Sequence, residues 1–231
     1  MMIKTRFAPS PTGWLHIGGV RTALYSWLYA RKNNGKFYLR IDDTDTTRST
    51  DAYKNSIIFA LNQLGLNYDD EITYQSNRFD YYIDKIEQLL NDDMAYYDQV
   101  EVNEKTKETD LSVQFENRLN RKGYVIRFRN QKDHSVTIND SVHGEITFDP
   151  KVFFDVVILR SSGIPTYNLS SVVDDIDLGI THLIRGDDHL SNLPVQVNLF
   201  ESFKAKVPSF SHLPMIHGED GKRLSKRHGA V

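Results

Sequence analysis

The stretch Pro9-Ser10-Pro11-Thr12-Gly13-Trp14-Leu15-His16-Ile17-Gly18-Gly19 decides how the chain begins to fold. Two prolines and a glycine at its start interrupt regular structure and predict a loop. A strand is predicted before the loop at residues 5–8, and apolar residues at helical spacing predict a helix over residues 18–30. A helix that begins at two glycines offers unpaired N–H groups and a positive dipole end, which suit a phosphate group.

The same alternation continues on both sides of the chain's middle. Residues 36–41 are predicted as a second strand, and residues 50–64 as a second helix with an apolar face. Strand, helix, strand and helix in this order favour an α/β fold with a parallel sheet and crossover helices. The pattern returns from Tyr167 onward, where further elements are predicted at residues 181–185, 193–203 and 210–215.

The middle of the chain has a different character. Residues 91–122 are polar, and the residues after them form short strand-like runs separated by turn residues. These runs lie at residues 125–128, 136–138, 146–148 and 156–159. We therefore predict an inserted β-rich segment at residues 91–165 between two halves of one domain, at residues 1–90 and 166–231.

Composition sets the broad class of the protein. The chain has 231 residues, 39% hydrophobic and 26% charged, as in ordinary soluble globular proteins. It contains no apolar run of about 18 residues, and its N-terminus lacks the apolar core of a secretory signal. Without cysteine it forms neither a disulfide nor a cysteine-ligated metal site. We expect a cytoplasmic monomer without a membrane partner, and the net charge of −3 provides no global basic field for nucleic acid.

Two charged clusters stand out against this neutral background. Asp42, Asp43 and Asp45 follow the second predicted strand, at the end of a parallel strand where ligands commonly bind. A carboxylate there can pair with the α-ammonium group of an amino acid, or the three together can hold a divalent ion. The run Lys222-Arg223-Leu224-Ser225-Lys226-Arg227 is basic and flanked by glycines, so it can neutralise a polyphosphate. Solvated surface and a basic tail are the plain alternatives for the two clusters.

Taken together, these strings resemble the class I aminoacyl-tRNA synthetases, and specifically their glutamyl branch. His16-Ile17-Gly18-Gly19 is similar to the His-Ile-Gly-His-type signature, and residues 223–227 are similar to the Lys-Met-Ser-Lys-Ser-type loop, with Arg223 where the first lysine usually stands. Residues 163–168, 172–175 and 181–189 match the family's substrate-pocket stretch. Departures from the usual pattern are Asp42 and Asp187 in place of glutamate, and the stretch Asn192-Leu193-Pro194-Val195-Gln196.

The resemblance implies a Rossmann-like catalytic domain, interrupted by an α+β connective segment that binds the tRNA acceptor end. It implies that ATP, accompanied by Mg²⁺, activates L-glutamate, which is then transferred to the 3′ end of tRNA(Glu). His16 and Lys226 are the implied catalytic residues. The implied ATP-binding residues are His16, Gly18, Gly19, Arg223, Leu224, Ser225 and Lys226. The implied glutamate-binding residues are Arg6, Ala8, Ser10, Asp42, Tyr167, Asn168 and Arg185.

Other features depart from the family pattern. Relatives often carry cysteine zinc ligands in the connecting segment, whereas this chain has no cysteine, so we predict no zinc and no protein-bound metal. The helical anticodon-binding region of the family is not expected in these 231 residues. Two alternatives remain open: a glutamyl-queuosine tRNA(Asp) synthetase, which also lacks that region, and a non-catalytic tRNA-binding remnant. Intact Arg6, His16, Arg185 and Lys226 argue against the remnant.

Overall fold

A computed structural model describes residues 2–45, 47–100 and 114–218. The first part of the chain contains β1 (Lys4–Phe7), α1 (Ile17–Lys32), β2 (Lys36–Ile41), α2 (Asp51–Gln63), β3 (Thr73–Tyr74), α3 (Phe79–Asn91) and β4 (Ala95–Gln99). The second part contains β5 (Tyr124–Phe128), β6 (Val136–Asp140), β7 (Gly144–Phe148), β8 (Val157–Leu159), α4 (Tyr167–Asp177), β9 (His182–Gly186), α5 (Leu193–Ser202) and β10 (Ser209–Leu213).

Parallel strands form the framework, which confirms the predicted α/β class. One sheet has the order β1-β2-β3, and all of its strands run parallel. A second sheet has the order β7-β6-β10-β9, in which β10 runs parallel to both β9 and β6. The two sheets meet at the beginnings of β1 and β9, where the Thr181 N–H donates to the Lys4 carbonyl over 2.9 Å.

The predicted inserted segment contributes strands to two different sheets. β4, β5 and β8 form a separate antiparallel sheet. The hairpin of β6 and β7 instead extends the second parallel sheet, because Asp140 of β6 pairs with Phe210 of β10. The division at residues 91 and 165 therefore stays a prediction, and part of the segment between them is built into the framework.

Three apolar clusters hold the layers together. One lies between α1, α2 and the first sheet and includes Phe7, Phe37 and Leu39. The largest lies between α3, α4, α5 and the β4-β5-β8 sheet, and the third packs under the second parallel sheet. β2 is buried at five of its six positions, as expected for a strand with a neighbour on each side and helices over it. Within the described ranges, no helix combines the length and apolarity required to cross a bilayer.

Candidate active site

His16 occupies the position immediately before α1. Its Nδ1 accepts a hydrogen bond from the Gly19 N–H over 3.3 Å and so caps one of the unpaired donors of the first helical turn. A neutral imidazole that accepts through Nδ1 carries its proton on Nε2. Side chains at the two glycines would crowd this arrangement. A Cβ at Gly18 would lie 3.1 Å from the imidazole ring, and one at Gly19 would lie 2.7 Å from Leu15 Cδ1.

Arg185 lies on β9 and is buried, with 4% of its surface exposed. Its Nε donates to His212 Nε2 over 3.0 Å, and its Nη1 donates to Gln196 Oε1 over 2.7 Å. Among the described residues, its Nη2 has no hydrogen-bond partner. A buried guanidinium remains charged and normally has an anionic partner, yet both partners here are neutral in charge. These two hydrogen bonds of Arg185 thus go to neutral side chains and not to Asp187 or Asp188.

The start of α4 lies next to Arg185. The Tyr167 hydroxyl and His189 Nδ1 are 3.0 Å apart. Burial lowers the pKa of Arg185, and the nearby Tyr167 opposes that effect. Asn168 Oδ1 accepts from Gln196 Nε2 over 3.4 Å. Burial, and after it the charge of Arg185, lowers the pKa of His189 to about 4. His189 is therefore neutral at pH 7 and adds no charge beside the guanidinium.

A buried network of charges lies at the ends of β1 and β2. Arg6 donates through Nε to Asp175 Oδ1 over 3.1 Å, and Arg40 donates to the same oxygen over 2.8 Å. Arg40 also donates through Nε and Nη2 to Asp42, over 2.6 and 3.2 Å. Burial raises the pKa of Asp42 to about 6, against the opposite effect of Arg40, so this carboxylate is ionised at neutral pH. Arg6 is thus paired with Asp175, and Asp42 with Arg40. The positive charge of Arg6 also acts on Asp42 and on Arg185.

The other two aspartates of the acidic cluster point to different partners. Asp43 accepts from the Ser76 N–H over 2.8 Å and pairs with Lys54 over 2.6 Å. Asp45 pairs with Arg48 over 2.6 Å. The part of the chain that the structure describes contains no group of three or more histidine, aspartate or glutamate residues able to hold a metal ion. The absence of zinc stays a prediction, because residues 101–113 and 219–231 lie outside that part.

The remaining predicted site residues lie in the loop after β1 and in the basic run near the end of the sequence. Ala8 and Ser10 belong to the loop after β1, and the Asp42 N–H donates to the Pro9 carbonyl over 3.0 Å, which fixes that loop beside the end of β2. The Arg21 guanidinium donates to the Pro214 carbonyl and connects α1 with the chain after β10. The ATP residues predicted in the basic run, Arg223, Leu224, Ser225 and Lys226, lie outside the described residues.

Several residues for which the sequence predicted no individual role contribute to the site. Gln196 and His212 are the direct partners of Arg185, and Asp140 in turn binds His212. Arg40 and Asp175 hold Asp42 and Arg6. Arg40 was recognisable from the sequence, because it is a cation inside an apolar strand and a buried charge requires a partner. No local pattern pointed to Asp140, which lies 72 residues from His212 in the sequence.

Comparison with known proteins places this geometry in a family. The model of the class I tRNA synthetases (E and Q), catalytic domain, matches residues 2–231. The glutamate–tRNA ligase of Francisella philomiragia is 49% identical over 244 residues, which cover 100% of this chain and 52% of that protein. That of Alkalilimnicola ehrlichii is 49% identical over 243 residues, covering 99% of this chain and 52% of the relative. The chain thus spans about half the length of the curated relatives it matches.

Solved structures agree with the sequence relatives. A glutamate tRNA ligase from Elizabethkingia meningosepticum, crystallised in complex with its amino acid, superposes with a TM-score of 0.87 at 34% identity, covering 99% of this chain and 53% of that one. The glutamate-tRNA synthetase of Elizabethkingia anophelis gives a TM-score of 0.86 at 33% identity, with the same coverage. Over residues 2–231, the chain therefore belongs to the class I tRNA synthetase (E and Q) catalytic-domain family.

Proposed function

We propose that this chain activates L-glutamate with ATP and transfers the glutamyl group to the 3′ end of tRNA(Glu). The observation that carries the proposal is Arg185, a buried cation with its Nη2 unpaired among the described residues. A guanidinium binds a carboxylate through charge-assisted hydrogen bonds, which suits the γ-carboxylate of glutamate. The relatives at 49% identity bear the name of this activity, which supports the same reading.

The opposite end of the amino acid would lie against Asp42. Its two oxygens accept from Arg40, but a carboxylate has about four acceptor positions, so an α-ammonium group can share it. Arg6 would add a second cation close to the ligand, and Tyr167 and Asn168 would add polar contacts from α4. Ala8 and Ser10 would line the loop side of the site.

The start of α1 would receive the phosphates of ATP. His16 carries its proton on Nε2 when neutral and would donate it to a phosphate oxygen. Gly18 and Gly19 allow the nucleotide to approach the helix N-terminus. Arg223, Leu224, Ser225 and Lys226 would cover the phosphates from the basic run, with Lys226 neutralising the departing pyrophosphate and Mg²⁺ arriving with ATP.

The chemistry requires positioning and charge neutralisation more than covalent help from the protein. An oxygen of the α-carboxylate attacks the α-phosphorus of ATP, and pyrophosphate leaves. A ribose hydroxyl of the terminal adenosine then takes the acyl group, and AMP leaves. We further propose that the enzyme acts in the cytoplasm as a monomer and needs no zinc.

The test is ATP–pyrophosphate exchange with glutamate, glutamine or aspartate, with and without tRNA(Glu). We expect exchange with glutamate and at least tens-fold less with glutamine, because an unpaired buried arginine costs on the order of 2–5 kcal/mol. Lys226→Ala should lower the exchange rate much more than ATP affinity, because its contact strengthens in the transition state. A wild-type chain that binds tRNA(Glu) yet exchanges no amino acid would favour a tRNA-binding remnant instead.

A further inference from the structure

We infer that Asp140 and His212 form a positioning pair that fixes Arg185 and thereby helps to determine the preference for an amino acid with an anionic side chain. The inference rests on the proposed function, in which Arg185 binds the γ-carboxylate. Neither residue contacts the ligand in this scheme. Both act through the guanidinium, and Asp140 acts through His212.

The three side chains form a continuous buried chain of hydrogen bonds. Asp140 Oδ2 lies 2.7 Å from His212 Nδ1, and His212 Nε2 lies 3.0 Å from Arg185 Nε. His212 is fully buried, and Asp140 has 1% of its surface exposed. Asp140 is itself fixed by the backbone, since it accepts from the N–H groups of Val142, His143 and His212 over 2.9, 3.1 and 3.1 Å.

Only one form of the imidazole satisfies both neighbours. Arg185 Nε–H can only donate, so His212 Nε2 must accept. The single proton of the neutral ring then lies on Nδ1 and donates to Asp140. The other tautomer, or a doubly protonated ring, would direct an N–H at the arginine N–H. Burial, and next the charge of Arg185, lowers the pKa of His212 to about 4, which agrees with a neutral ring.

The interposed imidazole keeps the pocket cationic. If Asp140 bound Arg185 directly, the ion pair would satisfy the guanidinium and remove the reason for a ligand carboxylate. Here the aspartate charge is met by three backbone N–H groups and the imidazole instead. Arg185 is held in place through Nε and Nη1 by neutral groups, and Nη2 is left for the ligand.

The arrangement also gives the β6–β7 hairpin a role in the pocket. Asp140 is the last residue of β6, and its register opposite Phe210 brings it beside His212 on β10. His212 in turn stands opposite Arg185 in the pairing of β10 with β9. Three neighbouring strands of one sheet thus each provide one member of the chain.

The first experiment determines the tautomer of His212 by ¹⁵N NMR of the full chain, with His212→Gln to assign the signal. We expect the Nδ1–H tautomer in wild type at neutral pH, and a change of tautomer in Asp140→Asn, whose amide can donate to Nδ1. A wild-type Nε2–H tautomer would overturn the positioning pair, whether or not the protein activates glutamate.

The second experiment measures glutamate and glutamine dissociation constants by calorimetry, together with melting curves. We expect Asp140→Asn and His212→Leu to weaken glutamate binding roughly ten-fold or more, because a buried donor of Arg185 loses its oriented acceptor. Glutamine binding should change less. His212→Gln should recover part of the loss, since its amide oxygen can accept from Arg185.

Asn198→Ala is the matched control. Asn198 lies on α5, as Gln196 does, but donates to Asn130 over 2.6 Å and serves as a buried polar contact elsewhere. It should lower the melting temperature and leave the ratio of glutamate to glutamine affinity unchanged. If the pocket variants melt lower but keep the wild-type ratio, the inference is wrong and the pair is structural. If wild type binds no glutamate, the proposed function fails and this inference fails with it.

Discussion

Arg185 is a buried cation that forms no ion pair with a carboxylate within the described part of the chain. Its neighbours Gln196 and His212 accept hydrogen bonds but bring no negative charge. A buried charge with no carboxylate in direct contact is costly to the free protein, and a ligand carboxylate would offset that cost on binding. The preference for glutamate over glutamine is therefore expected to come from the cost of the buried Arg185 charge in the free protein as much as from contacts in the complex.

Arg185→Gln should remove most of the preference for glutamate, mainly by harming glutamate use and not by improving glutamine. The reason is that the neutral amide forms no charge-assisted pair with the γ-carboxylate, a loss on the order of 2–5 kcal/mol. Adenylate formation with each amino acid measures the ratio, and a melting curve reports stability. Arg31→Gln is the control, because Arg31 pairs with Asp69 over 2.7 Å outside this pocket. An unchanged ratio with a lowered melting temperature would assign Arg185 a structural role only.

The histidines beside Arg185 make the protein sensitive to acid. The pKa values of His189 and His212 are lowered from 6.5 to about 4 by burial and by Arg185. Between these two pH values the unfolded chain binds protons that the folded chain does not. The contribution of these two histidines to the free energy of unfolding therefore falls as pH decreases from 6.5 to 4, by up to about 1.4 kcal/mol per pH unit for each histidine.

Asp42 has the opposite effect on the free energy of unfolding. Burial raises its pKa from 3.8 to about 6, so between these pH values the folded chain binds a proton that the unfolded chain does not. Urea unfolding at a series of pH values measures the net slope. We expect His212→Asn to flatten the slope. A slope that is identical in wild type and His212→Asn would show that His212 gains no protons on unfolding.

At the scale of elements, His16 caps the N-terminus of α1 and has a proposed catalytic role as well. We expect His16→Ala to lose the helix cap, which costs about 0.5–2 kcal/mol, and also to lose activation. His16→Asn retains an acceptor for the Gly19 N–H but lacks the Nε2–H donor. It should recover the melting temperature without recovering the exchange rate. Full recovery of both by asparagine would mean that His16 serves only as a cap.

Elements with a strong local pattern were predictable from the sequence, and elements that tertiary contacts impose were not. β2 was predicted with its observed bounds, because four of its six residues, Phe37, Tyr38, Leu39 and Ile41, are apolar or aromatic and the run follows a glycine and ends before an acidic cluster. α3 was missed although Tyr82, Ile83, Ile86 and Leu89 repeat at helical spacing. α4 gave a weaker signal, since it is rich in valine, serine and aspartate, which are poor helix formers.

The same contrast applies to the site. Arg6, Tyr167, Asn168 and Arg185 were predicted from family strings, and the structure places them at the ends of β1 and β9 and the start of α4. α4 forms because seven of its residues are buried between sheet and helix, so packing outweighs propensity. Contacts such as that of Asp140 with His212 depend on the register of β6 against β10, which no local sequence pattern encodes.

At the scale of the molecule, the pocket depends on the junction between two parallel sheets. Arg6 belongs to β1 in one sheet, and Arg185 belongs to β9 in the other. Burial lowers the pKa of Arg185, and the positive charge of Arg6 adds to that effect, so the two cations interact across the junction. Their separation is set where the strands begin, at Lys4 and Thr181.

The Thr181 hydroxyl holds that junction and offers a test far from the ligand. Its Oγ1 accepts from the Lys4 N–H over 2.8 Å, and the Thr181 N–H donates to the Lys4 carbonyl over 2.9 Å. Thr181→Val retains the shape but leaves the Lys4 N–H unpaired, which should lower stability by about 1–3 kcal/mol. Because the junction sets the position of Arg6 against Arg185, glutamate binding should also weaken, by an amount larger than for glutamine.

Thr181→Ser retains the hydroxyl and is the matched variant, so it should preserve both stability and the ratio of the two affinities. Calorimetric titration with each amino acid, beside urea unfolding, separates the two effects. A Thr181→Val protein that is less stable but binds glutamate as wild type does would show that the two sheets are held in register by their packing alone. The joint loss of stability and of glutamate selectivity, restored by serine, would establish that a hydrogen bond between the two sheets determines the geometry of the charged pocket.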